Sequence, residues 1–176
     1  YTYQLNNTKY HDDDNENNKL EGAGFRLYSG EACNDEDEIK LKKNADGTYS
    51  RYFGTEDGEE MFSDDKGQFN VKGLDAGTYY LKEKEAPQGY NPLEHDIAIQ
   101  ITAESWTTSA PSAKIAYKTS ATEDATFVEA ADGTTVKVEN KSGTTLPSTG
   151  GIGTTIFYVV GGGLMVAAAI LLITKK

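Results

Sequence analysis

The chain has 176 residues, 28 acidic against 17 basic side chains, and a formal charge of −11. That balance argues against nucleic acid as a partner, because phosphate binding needs a basic face. Cys33 is the only cysteine, so no intrachain disulfide can form even where the compartment would permit one.

Strand signals dominate from the first residue. Period-two or β-rich runs predict strands over 1–9, 25–28, 38–42, 49–53, 68–71, 78–83, 96–102, 114–118, 126–129 and 134–140. Turn residues separate them. Ala45-Asp46-Gly47 and Ala131-Asp132-Gly133 read as hairpin turns, and Asp75-Ala76-Gly77 reads as a tight entry to a strand. No helical period lasts beyond about two turns ahead of the tail. About ten short strands with such turns predict an all-β, immunoglobulin-like β-sandwich over 1–141. The linker 142–151 opens with a small, polar stretch from Ser142 to Ser148, as suits a flexible tether.

Residues 152–173 form an uncharged apolar run of about the 20 residues that cross a bilayer core as a single helix. Lys175 and Lys176, in the basic tail 174–176, hold the C-terminus on the cytoplasmic side, which puts everything before Ile152 outside. The chain starts at Tyr1 without a signal-peptide pattern, so an export signal and further domains are expected upstream.

Ahead of the apolar run stands Leu146-Pro147-Ser148-Thr149-Gly150. The pentapeptide, the span and the basic tail in this order resemble the cell-wall sorting signal of Gram-positive surface proteins. The resemblance implies that a sortase cleaves between Thr149 and Gly150. Thr149 then passes to an amine of the peptidoglycan precursor or of a neighbouring subunit, and the membrane is a partner only before sorting.

The body carries a second resemblance. The segment from Leu20 to Tyr28 (LEGAGFRLY) is similar to the opening of Cna B-type domains, the segment from Tyr79 to Tyr90 (YYLKEKEAPQGY) to their E-box, and the segment from Val136 to Lys141 (VKVENK) to their last strand. Lys84 stands where Thr is usual, with Glu83 still in register. The set most resembles the C-terminal domain of a sortase-assembled backbone pilin. A stalk domain of an ancillary pilin or wall-anchored adhesin is the alternative.

Such domains carry an internal isopeptide bond. The resemblance assigns Asn140 as the last-strand partner, Glu83 as the acid that promotes the bond, and Lys9 as the first-strand amine, with Lys19 as the alternative. The insertion from Asp12 to Asn18 accounts for the long separation of Lys9 from Gly22. Burial pushes a lysine toward its neutral form and a carboxyl toward its protonated form. A protonated Glu83 is therefore expected to hydrogen-bond and polarise the Asn140 side-chain carbonyl while neutral Lys9 attacks and ammonia leaves. Such a single self-modification is not enzyme turnover, and no cofactor is implied.

Other signals read as structural. The acidic run from Asp12 lacks the glycine and glutamate of a Ca²⁺ loop and reads as solvated, and His11 and His95 lack zinc-ligand spacing, so no metal is expected. Asn6-Asn7-Thr8 and Asn140-Lys141-Ser142 match a glycosylation pattern by chance. Cys33, beside Asn34, Asp35 and Glu36, sits in a setting that raises a thiol pKa. Trp106 and the 11 tyrosines read as core and strand residues.

Overall fold

A computed structural model describes residues 1–104, 112–119 and 125–143. The apolar run 152–173, Lys175, Lys176, the pentapeptide from Leu146 to Gly150, and Trp106 lie outside the described residues.

Eleven strands are present among the described residues: β1 (Tyr3–His11), β2 (Gly24–Tyr28), β3 (Leu41–Lys43), β4 (Tyr49–Arg51), β5 (Met61–Phe62), β6 (Val71–Leu74), β7 (Gly77–Glu85), β8 (Ile97–Ala103), β9 (Ala113–Tyr117), β10 (Val128–Glu129) and β11 (Thr135–Asn140). They form two sheets, ordered β11-β1-β6-β4-β3 and β10-β9-β8-β7-β2-β5. The all-β sandwich read from the strand pattern is the fold, and Tyr1–Ser142 forms one compact unit.

The alternation of side chains along each strand explains the layering. Along β1, Tyr3, Leu5, Asn7 and Lys9 are buried while their neighbours are less so, and along β11 the same holds for Val136, Val138 and Asn140. In the other sheet, β8 buries Ile97, Ile99 and Ile101. Phe25 of β2 stacks on Phe69, their rings 4.4 Å apart and 3° from parallel, and ties the two layers together.

Two pairings are parallel. β1 runs beside β11 with Lys9 opposite Val138 and His11 opposite Asn140, and β4 runs beside β6. First and last strands are therefore neighbours, which joins the two ends of the domain.

The structure corrects several boundaries. The two-residue strand β5 has no alternation long enough to read. The strand expected over 68–71 begins only at Val71, because Asp64 and Gln68 close a turn that occupies the preceding residues. The strand expected over 38–42 starts at Leu41, after a single-turn helix at Asp35–Asp37. Ala45-Asp46-Gly47 does close the β3–β4 hairpin. Ala131-Asp132-Gly133 does not make a hairpin, since β10 and β11 belong to different sheets. Its turn chemistry is nevertheless real: the Asp132 carboxylate accepts from the backbone N–H groups of Thr134 and Thr135, and Gly133 has a φ of +79°. Buried Ala130 then anchors the crossing between layers by donating to the Ile115 carbonyl.

Gly67 sets the position of β1. Its carbonyl accepts from the Lys9 N–H at 2.7 Å, its φ is +76°, and a Cβ there would run into the Lys9 carbonyl oxygen. Gly73 has a similar φ of +81° but open space around it. Gly73→Ala should therefore cost about 1 kcal/mol from the left-handed backbone alone. Gly67→Ala adds a backbone clash and should cost about 3 kcal/mol or more. Chemical denaturation of the two variants beside the parent checks the difference. Equal midpoints would remove the assigned role of Gly67.

Candidate functional site: a buried lysine, carboxylate and amide

Three inward series end on a polar residue at the same level of the sandwich. On β1 the series is Leu5, Asn7, Lys9; on β11 it is Val136, Val138, Asn140; on β7 it is Tyr79, Leu81, Glu83. Lys9 is fully buried, Asn140 is 1% exposed, and the Glu83 side chain is 3% exposed. The parallel register places Lys9 and Asn140 diagonally on one inner face, and Glu83 reaches them from the opposite sheet.

Lys9 Nζ lies 3.4 Å from Glu83 Oε1, 3.5 Å from the Val138 carbonyl and 5.8 Å from the centre of the Phe25 ring. Burial is the main influence on this amine and lowers its pKa to about 8, against a partial restoring pull from the Glu83 charge. The amine is thereby moved toward its neutral, nucleophilic form.

Glu83 Oε2 accepts from the Leu93 N–H at 3.0 Å and from Asn140 Nδ2 at 3.3 Å. Asn140 Nδ2 also donates to the Asn91 carbonyl at 2.9 Å, and Asn140 Oδ1 has no hydrogen-bond partner. The amide thus faces opposite to the sequence expectation: its nitrogen, not its carbonyl oxygen, meets Glu83. The Asn91 carbonyl explains this, because it can only accept and so requires the NH₂ side of the amide.

Lys19, the alternative amine, pairs instead with Asp14 in the acidic insertion, and Lys137 of β11 pairs with the same carboxylate. Those two lysines hold the Asp14 carboxyl below its ordinary range. The insertion is fastened rather than simply solvated. Asp12 accepts from the Ser142 N–H at 3.2 Å and hydroxyl at 2.6 Å, and these bonds with that from His11 bring its pKa down to about 2. Among the described residues no group of three or more His, Cys, Asp or Glu side chains is placed to hold a metal ion.

Cys33 is buried, with its thiol pushed up to about 12 by burial first and then by Asp96, which accepts from Sγ at 3.4 Å. The direction matches the sequence reading. The cause is different, since Asp96 is distant in sequence.

The groups that sequence reasoning missed are the Asn91 carbonyl and the Leu93 N–H, since main-chain atoms leave no side-chain signature. Pro92 between them is a sequence signal of a rigid segment.

Comparison with known proteins places the chain. Residues 5–114 match the SpaA prealbumin-like fold domain, and residues 138–176 match the LPXTG cell wall anchor motif. The chain belongs to the SpaA prealbumin-like domain family. Lys9 and Glu83 fall in the first match and Asn140 in the second. With its anchor, the protein is a cell-wall-attached surface protein made as a membrane-bound precursor. No curated protein matches the chain.

Among solved structures, the minor pilin of Streptococcus agalactiae is similar at 23% identity and a TM-score of 0.46, over 84% of this chain and 48% of that one. The pilus 2b backbone protein of group B streptococcus is similar at 25% identity and 0.46, over 80% and 41%. The C-terminal domain of the shaft pilin of Lactobacillus rhamnosus GG is similar at 20% identity and 0.46, over 81% and 99%. The chain covers 32% of a streptococcal ancillary pilin and about half or less of the longer pilins.

The depressed Lys9 pKa makes a stability prediction for an Asn140→Ala variant, which keeps Lys9 and lacks the neighbouring amide. Folding lowers the Lys9 pKa from 10.5 to about 8, so between those values the unfolded chain binds more protons. Stability must then rise with pH across that window, by up to about 3 kcal/mol, and fall as pH drops through 8. Urea titrations of Asn140→Ala against Asn140→Ala/Lys9→Met, between pH 7 and 11, isolate this contribution from the tyrosines. Parallel pH profiles for the two would contradict a buried, strained ammonium.

Proposed function

We propose that the chain is the C-terminal domain of a sortase-polymerised backbone pilin, a structural protein strengthened by an isopeptide bond between Lys9 and Asn140. The observation that carries this reading is the constellation of buried Lys9, Glu83 and Asn140 side chains joining first strand, last strand and opposite sheet. An isolated ion pair in a core gains little over apolar packing, so it is better read as serving chemistry.

The geometry supports a proton relay through Glu83. Lys9 Nζ gives a proton to Oε1 and attacks the Asn140 side-chain carbonyl carbon. As the new C–N bond forms, the Glu83 carboxyl passes that same proton to Nδ2, and the C–Nδ2 bond breaks to release ammonia. Glu83 then takes the second proton from Nζ, leaving a neutral secondary amide. The group that protonates the leaving nitrogen is the one 3.3 Å from it.

Closing a loop from Lys9 to Asn140 stabilises the domain by about 4–5 kcal/mol on the chain-entropy argument used for disulfides. Tension entering along β1 would cross at Lys9 to Asn140 and leave through Ser142, bypassing the strands between. Beyond Ser142 the load would reach Thr149, which sortase joins to a lysine of the next subunit or, at the base, to peptidoglycan. The residues Leu146, Pro147, Ser148, Thr149 and Gly150 are its recognition sequence.

Intact mass of the purified protein beside Glu83→Ala tests the bond. The parent should lack one ammonia relative to its sequence and the variant should not, with peptide mapping placing the link at Lys9 and Asn140. A full mass in folded parent protein would sink the isopeptide reading. The rate of ammonia loss should hold steady from pH 7 to about 8, the Lys9 value, and fall above it, where the pair has lost the proton that Glu83 passes to Nδ2. Thermal melting of Glu83→Ala should fall well below the parent. On the native surface, a ladder of high-mass species should vanish when Thr149 is replaced.

A further inference from the structure

We infer that Asn91-Pro92-Leu93, between β7 and β8, is a positioning clip for the crosslinking reaction, turning the Asn140 amide nitrogen toward Glu83 and holding the carboxyl that serves it. This rests on the isopeptide reading above and assigns a role to residues outside its three reacting side chains.

Two main-chain groups of the clip address the two reacting groups separately. The Asn91 carbonyl accepts from Asn140 Nδ2 at 2.9 Å, and the Leu93 N–H donates to Glu83 Oε2 at 3.0 Å. Pro92 lies between them, and its fixed φ limits how the two groups can move relative to each other. A further bond, from the Asn91 N–H to the Lys141 carbonyl at 3.0 Å, ties the segment to the residue after Asn140. Clip, amide and carboxyl therefore form one hydrogen-bonded cycle.

The cycle decides which atom of the amide Glu83 can serve. With Nδ2 shared between Glu83 Oε2 and the Asn91 carbonyl, a half-turn of the amide would set its oxygen against two acceptors. The carboxyl is thereby committed to the leaving nitrogen. The same segment also lines a cleft of about 280 Å³ whose wall includes Asn140, Tyr10 and Lys137, which provides room beside the amide for departing ammonia.

The full chain, made by cell-free synthesis in mild detergent and acid-quenched at intervals, reports the rate of ammonia loss by intact mass. Leu93→Ala keeps the N–H and removes the side chain, and should crosslink at the parental rate. Leu93→Pro removes the N–H and should slow the reaction about tenfold, the worth of one hydrogen bond to a charged group. If Leu93→Pro fails to fold, an amide-to-ester replacement at Leu93, which deletes only the N–H, takes its place with the same expected slowing. Rescue by the N–H-retaining variant is a result that a packing role would not produce. Parental rates in both N–H-deleted forms would overturn the clip while leaving the crosslink intact. Slowing in Leu93→Ala equal to that in Leu93→Pro would make the segment a packing element only. A parent that never loses ammonia would remove the crosslink reading and the clip with it.

Discussion

A lysine with no access to water governs this domain. Lys9 sits at an inward position of β1 that alternation would assign to an aliphatic residue, above the stacked Phe25 and Phe69. Transferring an ammonium into such a place carries a penalty of several kcal/mol, which a single carboxylate repays only with good geometry. Glu83 meets Nζ at 3.4 Å, longer than a strong charge-assisted hydrogen bond, and the lysine remains destabilised in its charged form. The surrounding structure is arranged to tolerate that conflict. β11 pairs beside β1, β7 supplies the counter-charge from the facing sheet, and Gly67 clamps the Lys9 backbone.

The parallel alignment of β1 and β11 has a second consequence at the end where both strands stop. There the acidic insertion folds back over the exit of the last strand. Asp14 takes Lys19 from the insertion's own far end and Lys137 from β11, and Asp12 takes Ser142 just beyond it. Adjacent carboxylates in open solvent would repel and extend the loop. Distributed over partners on three segments, they fasten it. These contacts are partly exposed, so their worth is modest and falls with salt. Their effect is positional: the chain leaves the sandwich beside the end of β1, next to the site itself.

Much of this was legible in the sequence, and the illegible parts have physical reasons. Long alternating strands such as β1, β7, β8 and β11 announce themselves, because one face is buried and period two follows. β5 has only Met61 and Phe62, too few residues to show a period. Whether the turn at Asp132 joins partners or changes sheets depends on tertiary pairing, which turn chemistry does not encode. The three polar endings of otherwise apolar inward series, Lys9, Glu83 and Asn140, are visible once the strands are aligned, and the family resemblance named the same residues. The amide orientation was not legible. It depends on the main-chain carbonyl of Asn91, and any residue at that position supplies one.

Seen from the core, the proposed bond answers an electrostatic problem as well as a mechanical one. Before reaction, the interior holds a lysine whose charged form is disfavoured and an amide whose Oδ1 lacks a partner. Forming the amide eliminates the ammonium altogether: one surplus proton leaves with ammonia and the other stays on Glu83. The burial that destabilises Lys9 in the precursor is then no longer opposed by charge, and it becomes the apolar packing of a neutral linkage. Driving force and reactivity thus share one origin, since the desolvation that makes the amine nucleophilic also makes its disappearance favourable. A more exposed Lys9 would weaken both at once. For the same reason Lys19, held at the surface by Asp14, makes a poor substitute despite its closeness in sequence.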